Sequence, residues 1–197
     1  MAAIKKDIVQ KLLFTLCLIC FVACKQSSKT ESGKLNTNDS NVLETAVKAP
    51  EFSLKTLNDS IINLNDLLGK IVVVHIATTW CPFCNAEAPY LEALYNNYKD
   101  KNVVVLLIDV KEPKALVLQK LKNKYKLSFP ILLDLDGKVA ASYAPKDVLP
   151  ELDRDEVMLA SNLIIDSEGN IKYMSLLDSK NFDAELIQLQ KELNELL

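Results

Sequence analysis

The feature that most constrains this chain is a C-x-x-C cysteine pair that follows an apolar run. Residues 71–77 read IVVVHIA, which is typical of a buried strand, and WCPFC follows at residues 80–84, where a helical pattern begins. The unpaired N–H groups and the dipole at a helix N-terminus stabilise a thiolate. Cys84 lies in the first turn after Cys81, close enough to form a disulfide. The pattern therefore predicts reversible disulfide chemistry, with Cys81 as an exposed, ionisable nucleophile.

The same cysteine spacing occurs in structural zinc sites, so zinc binding is the first alternative. A closed zinc site needs about four ligands. No second cysteine pair follows Cys84, and the single histidine of the chain is His75. The sequence therefore predicts no metal, and no cofactor other than the redox-active Cys81–Cys84 disulfide itself.

The first 23 residues have the pattern of a targeting signal. Three lysines lie in the first eleven residues, and residues 12–23 form an apolar stretch that is short for a membrane span. Cys24 follows a small residue at the end of this stretch, which resembles a bacterial lipoprotein signal. The resemblance implies cleavage before Cys24, lipid attachment to Cys24, and anchoring in the cell envelope, facing the periplasm or the outer surface. The alternative is an uncleaved N-terminal anchor.

The rest of the chain divides into a tether and one domain. Three of the five cysteines fall within or directly after the predicted signal, which leaves only Cys81 and Cys84 for chemistry. Residues 24–45 are rich in Ser, Thr, Asn and Lys and predict a flexible tether. Residues 46–197 suit a single domain, which must fold by its apolar core because no other cysteines remain to form structural disulfides.

Strand and helix patterns alternate along residues 46–197 and predict an α/β fold. The expected order is an N-terminal β-hairpin, then β-α-β-α, then β-β-α. The predicted strands are residues 52–54, 61–64, 71–77, 103–109, 130–133, 163–165 and 171–177. The predicted helices are residues 82–98, 113–125, a short piece at 139–143, and a last helix that buries Phe182, Leu186, Leu189, Leu193 and Leu196. This order is similar to the thioredoxin-like fold, a central mixed sheet flanked by helices, with the cysteines at the carboxyl end of a central strand.

Several residues outside the cysteine pair make a resemblance specific. They are Glu87, Pro89, the stretch Leu163-Ile164-Ile165-Asp166 with its Gly169 turn, and the lead-in Asp66, Leu67, Gly69 and Lys70. With WCPFC, they resemble the TlpA/ResA-type thiol–disulfide oxidoreductases of the thioredoxin superfamily, an AhpC/TSA-redoxin-like group. The resemblance covers about residues 46–197.

This resemblance implies a mechanism and partners. Cys81 would attack a substrate disulfide, Cys84 would resolve the mixed disulfide, and Glu87 would handle protons near the pair. The substrates would be exported proteins that carry disulfides, for example in cytochrome c maturation. The reductant would be an integral-membrane thiol transporter. The chain would be a thiol:disulfide oxidoreductase, although the sequence does not fix the direction of the reaction.

The proton on Cys84 needs an acceptor, because deprotonating a buried thiol is unfavourable. Glu87 lies one helical turn beyond Cys84, and its alternative role is that of an ordinary acid in the first helical turns. His75 is a second candidate base, six residues before Cys81 in the strand, at a position where thioredoxins often hold a buried acid. The alternative for His75 is a satisfied core histidine.

Four residues are predicted to contact the substrate: Trp80, Pro82, Phe83 and Ala160. Thioredoxin-like proteins usually carry a cis-proline just before the strand that here begins near Leu163, and alignment places Ala160 there. A cis bond without proline costs about 2.5–4 kcal/mol, so we expect a trans bond or a different loop at Ala160. The acidic stretch 144–159 is longer than the usual connection in the family and is either a lid, a partner surface or an exposed loop.

The departures from the family pattern favour a peroxiredoxin-like thiol peroxidase as the alternative function. Residues 129–134, FPILLD, resemble a peroxiredoxin segment, and Thr78 stands three residues before Cys81, as a threonine does in that family. However, Val74 occupies the position of an expected proline. The only arginine, Arg154, lies about six residues too early to be the activating arginine.

The sequence gives little support for copper or nucleic acid as a partner. A copper-delivery module of this fold usually has wider cysteine spacing and a downstream histidine, which the upstream His75 does not match. The formal charge of −3 gives no reason to expect nucleic acid as a partner, and the lysines in residues 114–126 fit a solvated helix face.

Overall fold

A computed structural model describes residues 47–148, 150–153, 160–176 and 182–197. The predicted signal, the lipid site at Cys24 and the tether at 24–45 lie outside the described residues. Within the acidic stretch 144–159, residue 149 and residues 154–159, including Arg154, also lie outside them.

Seven strands form one mixed sheet in the order β2-β1-β5-β4-β3-β6-β7. Strand β3 pairs in parallel with β4, and β4 pairs in parallel with β5, whereas β1 and β6 join antiparallel. The sheet confirms both the predicted mixed sheet and the N-terminal hairpin of β1 with β2. The strand bounds are β1 Ser53–Thr56, β2 Ile61–Asn63, β3 Ile71–Ala77, β4 Val103–Val110, β5 Ile131–Asp134, β6 Ser161–Ile165 and β7 Ile171–Leu176.

The two central strands are buried on both faces, as their continuous apolar runs predict. Side chains alternate between faces along β3, so Val73 and Ala77 pack in one core cluster and Val72 and Val74 in the other. The cluster of Val73 and Ala77 also contains Cys81 and Cys84. The alternation therefore places His75 on the face of the sheet that packs against the cysteines.

The helices are α1 Pro82–Tyr98, α2 Lys114–Val117, α3 Lys138–Tyr143 and α4 Ile187–Glu195. A short 3-10 helix spans Leu64–Leu67, and α2 continues as a π-helical segment over Leu118–Asn123. Helix α1 has its predicted bounds, because Pro82 suits the first helical position and lacks the N–H that would be left unpaired there. No helix in the described ranges has the length and apolarity needed to cross a bilayer.

The last helix begins later than predicted. Leu186 has a φ of 58° and precedes the first helical residue, so the helix does not extend back to Phe182. The side-chain oxygen of Asp183 accepts a hydrogen bond from the backbone N–H of Gln188, at 2.8 Å, and satisfies one group of the first turn. Of the predicted buried residues, Leu186, Leu189 and Leu193 are buried, whereas Phe182 and Leu196 are half-buried.

Candidate active site

The cysteine pair lies where β3 ends and α1 begins. Cys81 is the N-cap of α1, and its sulfur accepts a hydrogen bond from the backbone N–H of Cys84, at 3.3 Å. Both cysteines are free thiols. The Cys81 sulfur therefore has a donor at the helix N-terminus that stabilises negative charge on it.

The prediction that Cys81 is exposed was wrong. Its exposed fraction is 7%, and that of Cys84 is 1%. Cys81 is buried because it packs in the apolar cluster that includes Ala77 and Ala88. A substrate disulfide must therefore dock closely against this turn to reach the sulfur.

The Cys84 thiol is difficult to ionise. Burial raises its pKa far above the ordinary range, and its hydrogen bond with Cys81 and the charge of Cys81 raise it further. A thiol in this state does not act as a nucleophile at neutral pH unless a base removes its proton.

Glu87 has the properties of that base. It lies one turn beyond Cys84 on α1 and is buried, and burial raises the pKa of its carboxyl to about 7, although a hydrogen bond from Asn162 opposes the shift. A carboxyl group with a pKa near 7 exchanges protons readily at neutral pH.

His75 is brought to the same site through Asn162. The amide nitrogen of Asn162 donates to Glu87 Oε1, at 2.8 Å, so the Asn162 oxygen is left to accept from His75 Nδ1, also at 2.8 Å. His75 Nδ1 is 3.8 Å from the other carboxyl oxygen of Glu87. This arrangement assigns the proton to Nδ1 of a neutral ring. The three side chains form a buried group that we call the Glu87 triad (Glu87, Asn162, His75).

The role of His75 is limited by its burial. Burial lowers the pKa of His75 to about 4, although the hydrogen bond with Asn162 acts in the opposite direction. The ring is therefore neutral near pH 7 and is a weak base there. Its Nε2 has no hydrogen-bond partner among the described residues. This environment favours an orienting role for His75 over that of the primary base.

Sequence reasoning missed Asn162. It lies in β6, beside His75 in the strand pairing with β3, and it is buried in a strand that is otherwise mostly apolar. An asparagine directly before the run Leu163-Ile164-Ile165 is the signal that was available. Its partners lie 75 and 87 residues away along the chain, so their identity depends on the sheet pairing.

The four predicted substrate-contact residues differ in exposure, and three of them are neighbours of Cys81 and Cys84 in the chain. Trp80 is 73% exposed, Pro82 is exposed, and Phe83 and Ala160 are half-buried. The Phe83 ring packs edge-on against Phe182, with 4.9 Å between the ring centroids.

A cavity of about 210 Å³ opens beside Ala160 and reaches Glu87 and Asn162. Tyr173, Phe182 and Asp183 also line it. The peptide bond before Ala160 involves Leu159, which lies outside the described residues, and no cis peptide bond occurs within the described part. The cavity therefore leaves Glu87 and Asn162, two members of the Glu87 triad, facing open space beside Ala160.

Comparisons with known proteins agree with this geometry. The model of the AhpC/TSA family matches residues 45–174. The thiol-disulfide oxidoreductase ResA of Bacillus thuringiensis is 32% identical over 129 residues, which are 66% of this chain and 68% of that protein. ResA of Oceanobacillus iheyensis is 33% identical over 110 residues, and the match spans 54% of this chain and 57% of that relative.

Solved structures give the same fold. A proposed protein disulfide isomerase from Bacteroides thetaiotaomicron has a TM-score of 0.66 and 25% identity, with coverage of 79% of this chain and 91% of that one. A secreted Mycobacterium tuberculosis disulfide oxidoreductase homologous to Escherichia coli DsbE has a TM-score of 0.58 and 25% identity, with coverage of 74% and 96%. The chain belongs to the AhpC/TSA family and, within the thioredoxin superfamily, to the TlpA/ResA-type thiol–disulfide oxidoreductases.

Proposed function

We propose that this protein reduces disulfides in exported proteins through the Cys81–Cys84 dithiol. The observation that carries the proposal is the contrast between the two sulfurs. Both cysteines are buried, but the Cys81 sulfur accepts a hydrogen bond from an N–H at the start of α1, whereas the pKa of Cys84 is strongly raised. Cys84 also lies one turn before a carboxyl group with a pKa of about 7. Disulfide reduction needs one cysteine that attacks as a thiolate and a second cysteine that a nearby base can deprotonate. Cys81 and Cys84 fit these two roles.

The reaction follows in two displacements. The Cys81 thiolate attacks one sulfur of the substrate disulfide, forms a mixed disulfide, and releases the other substrate sulfur as a thiolate. Cys84 then transfers its proton to the Glu87 carboxylate and attacks the Cys81 sulfur. The second substrate thiolate leaves, and the Cys81–Cys84 disulfide has formed. Two electrons have passed from the protein dithiol to the substrate.

The Cys81–Cys84 disulfide must then be reduced again, and the location of the protein determines which reductant can reach it. We propose attachment to a bacterial membrane through lipid on Cys24, and an integral-membrane thiol transporter as the reductant. The lipoprotein-like pattern of residues 1–24 and the relation to ResA proteins support this location. Selective labelling of Cys24 with a lipid precursor, and loss of the label in Cys24→Ala, would test the anchor.

Disulfide exchange and reduction potential test the function. Wild-type protein should reduce insulin disulfides with dithiol turnover, and its potential should be well below the roughly −120 mV typical of a strong disulfide donor. A potential near that value would instead support disulfide donation. Rapid peroxide consumption that needs Cys81 but not Cys84 would support the peroxidase, and stoichiometric copper binding would support a metal carrier.

A further inference from the structure

Hydrogen bonds with a residue that the proposed mechanism does not use also fix the turn between β3 and α1. Glu112, in the connection after β4, accepts two hydrogen bonds from Thr79. One comes from the backbone N–H at 2.5 Å and the other from the hydroxyl at 2.7 Å. Glu112 is itself buried. Both oxygens of a buried carboxylate are therefore engaged by one residue, two positions before Cys81.

Asn85 and Tyr125 hold the same turn from other elements. The amide nitrogen of Asn85 donates to the backbone oxygens of Thr79, at 2.9 Å, and of Cys81, at 2.7 Å. The Tyr125 hydroxyl donates to the side-chain oxygen of Asn85, at 2.8 Å, and fixes the orientation of that amide. We call Glu112, Asn85 and Tyr125 the turn clamp. It engages both backbone polar groups of Thr79 and the carbonyl of Cys81.

A buried acid next to the clamp limits the charge at this position. Asp109 lies near the end of β4, opposite Ala77, with 0% exposure, and its carboxyl group interacts with the side chain of Glu112. Burial, and then the neighbouring Glu112, raise the pKa of Asp109 to about 8. Asp109 is therefore largely protonated at pH 7.

We propose that the turn clamp positions the Cys81 sulfur for disulfide exchange, with Glu112 as the main positioning residue. The inference rests on the proposed dithiol chemistry, because it concerns the same sulfur. Cys81 must keep its position over the helix N-terminus as a thiolate, in the mixed disulfide and in the disulfide. Small displacements of a reacting atom slow a reaction strongly, and side-chain contacts from three elements restrict such displacements here.

The chain contains a matched control for the Glu112 contact. Glu92, on α1, accepts from the backbone N–H of Ser128 at 2.7 Å and also from the Ser128 hydroxyl. The chemistry is the same, a glutamate engaged by both donors of one hydroxyl residue. This second contact lies away from the cysteine turn, so Glu92→Ala measures the loss of such a contact without the predicted effect on Cys81.

The test compares Glu112→Ala, Glu112→Gln and Glu92→Ala in the full-length chain. The rate of Cys81 alkylation by iodoacetamide is followed against pH by peptide mass spectrometry, together with insulin reduction and the melting temperature. We expect Glu112→Ala to slow both reactions about tenfold relative to Glu92→Ala and to move the alkylation profile to higher pH. Glu112→Gln should remain close to wild type, because its oxygen accepts from the Thr79 N–H and its amide donates to the Thr79 hydroxyl.

Three results would overturn the inference. Glu112→Ala could match Glu92→Ala in both rates, which would reduce the clamp to an ordinary structural contact. The profiles of Glu112→Ala and Glu112→Gln could shift together to lower pH, which would show an effect of charge alone. If Glu112→Ala does not fold, Thr79→Val replaces it in the test, because this variant loses only the hydrogen bond from the Thr79 hydroxyl to Glu112. An unchanged rate of Cys81 alkylation in Thr79→Val would also contradict the positioning role of the turn clamp. If wild-type protein does not reduce insulin but Glu112→Ala still alters Cys81 alkylation, only the proposed function fails.

Discussion

The two sides of the cysteine turn are built from different polar groups. On one side, the Glu87 triad is buried beside a cavity, Glu87 titrates near 7, and Nε2 of His75 has no partner among the described residues. On the other side, Glu112 and Asn85 form hydrogen bonds of 2.5–2.9 Å with backbone groups of Thr79 and Cys81. Both sides contain a buried glutamate, but only one of these glutamates is engaged by backbone and hydroxyl donors of the turn itself.

This difference separates proton handling from positioning. Burial with a single neutral hydrogen bond leaves a carboxyl group able to gain and lose a proton near pH 7, as at Glu87. Two donors from Thr79 instead hold the Glu112 carboxyl group in place. The comparison predicts that changes at Glu87 alter the pH dependence of resolution, and that changes at Glu112 alter the reactivity of Cys81.

The largest effect is expected for Glu87→Gln. Without a carboxylate to accept the Cys84 proton, resolution of the mixed disulfide should slow by about 100-fold, and the pH dependence near 7 should disappear. Stopped-flow measurement of mixed-disulfide decay against pH would show this. Glu92→Gln on the same helix is the control. An unchanged decay rate in Glu87→Gln would remove Glu87 from the mechanism.

A smaller effect is expected for Asn162→Leu. The Asn162 hydrogen bond lowers the pKa of Glu87, so its loss should raise that pKa and move the pH profile of resolution to higher pH. At pH 7 the rate should fall roughly threefold to tenfold, because less Glu87 is ionised. The same stopped-flow assay applies, with the exposed Asn96→Leu as the control. A profile that moves to lower pH would contradict the assignment of the triad.

Local patterns were sufficient to predict the framework of the site. The bounds of β3 and α1 follow from an apolar β-branched run and from a proline at the first helical position, and the structure has both at the predicted residues. The start of α4 was mispredicted because the left-handed backbone of Leu186 has no sequence signal, since leucine rarely adopts it.

The polar contacts around the cysteines were harder to predict than the cysteines themselves. Glu112 and Thr79 are 33 residues apart, and Tyr125 and Asn85 are 40 apart. These contacts arise only when β4 pairs beside β3 and when Tyr125, which follows the π-helical segment, lies beside α1. A single sequence shows which residues are polar but not which distant residues they meet. Glu87 was predicted because it lies on the same helix as Cys84.

Stability should depend on pH through Asp109. The folded protein keeps a proton on Asp109 up to about pH 8, whereas the unfolded chain releases it near its ordinary pKa of 3.8. Stability therefore falls as the pH rises between these values, by up to about 1.4 kcal/mol per pH unit. Glu87 adds the same sign and titrates around pH 7, and His75 acts in the opposite direction below about 6.5, so the contribution of Asp109 is separated from theirs by comparing wild type with a variant that lacks the Asp109 carboxyl.

Denaturant unfolding of wild type and Asp109→Asn across pH 7–8 measures the contribution of Asp109 to the pH dependence of stability. The free energy of unfolding of wild type should decrease through the window, and that of Asp109→Asn should decrease less steeply, because only the Glu87 contribution remains. The exposed Asp136→Asn should keep the wild-type slope, because the pKa of Asp136 is lowered and it titrates well below this window. Equal slopes in wild type and Asp109→Asn would show that Asp109 is ionised in the folded state.

The smallest effect on stability is expected for Trp80→Ala. The side chain is 73% exposed, so the free energy of unfolding should change by less than about 0.5 kcal/mol. If Trp80 contacts the substrate, KM for a folded protein disulfide should rise while Cys81 alkylation by iodoacetamide stays the same. If the reactions with the protein disulfide and with iodoacetamide slow equally, Trp80 acts on the reactivity of the Cys81 sulfur instead of on substrate binding.

The division of roles between the two sulfurs is tested most directly by trapping the intermediate. Full-length Cys84→Ser and Cys81→Ser proteins are mixed with a peptide disulfide, and adducts are located by peptide mass spectrometry. Cys84→Ser should accumulate a stable mixed disulfide on Cys81 at one peptide per chain, because no thiol remains to resolve it. Cys81→Ser should form no such adduct on Cys84. An adduct on Cys84, or none on Cys81, would contradict the account.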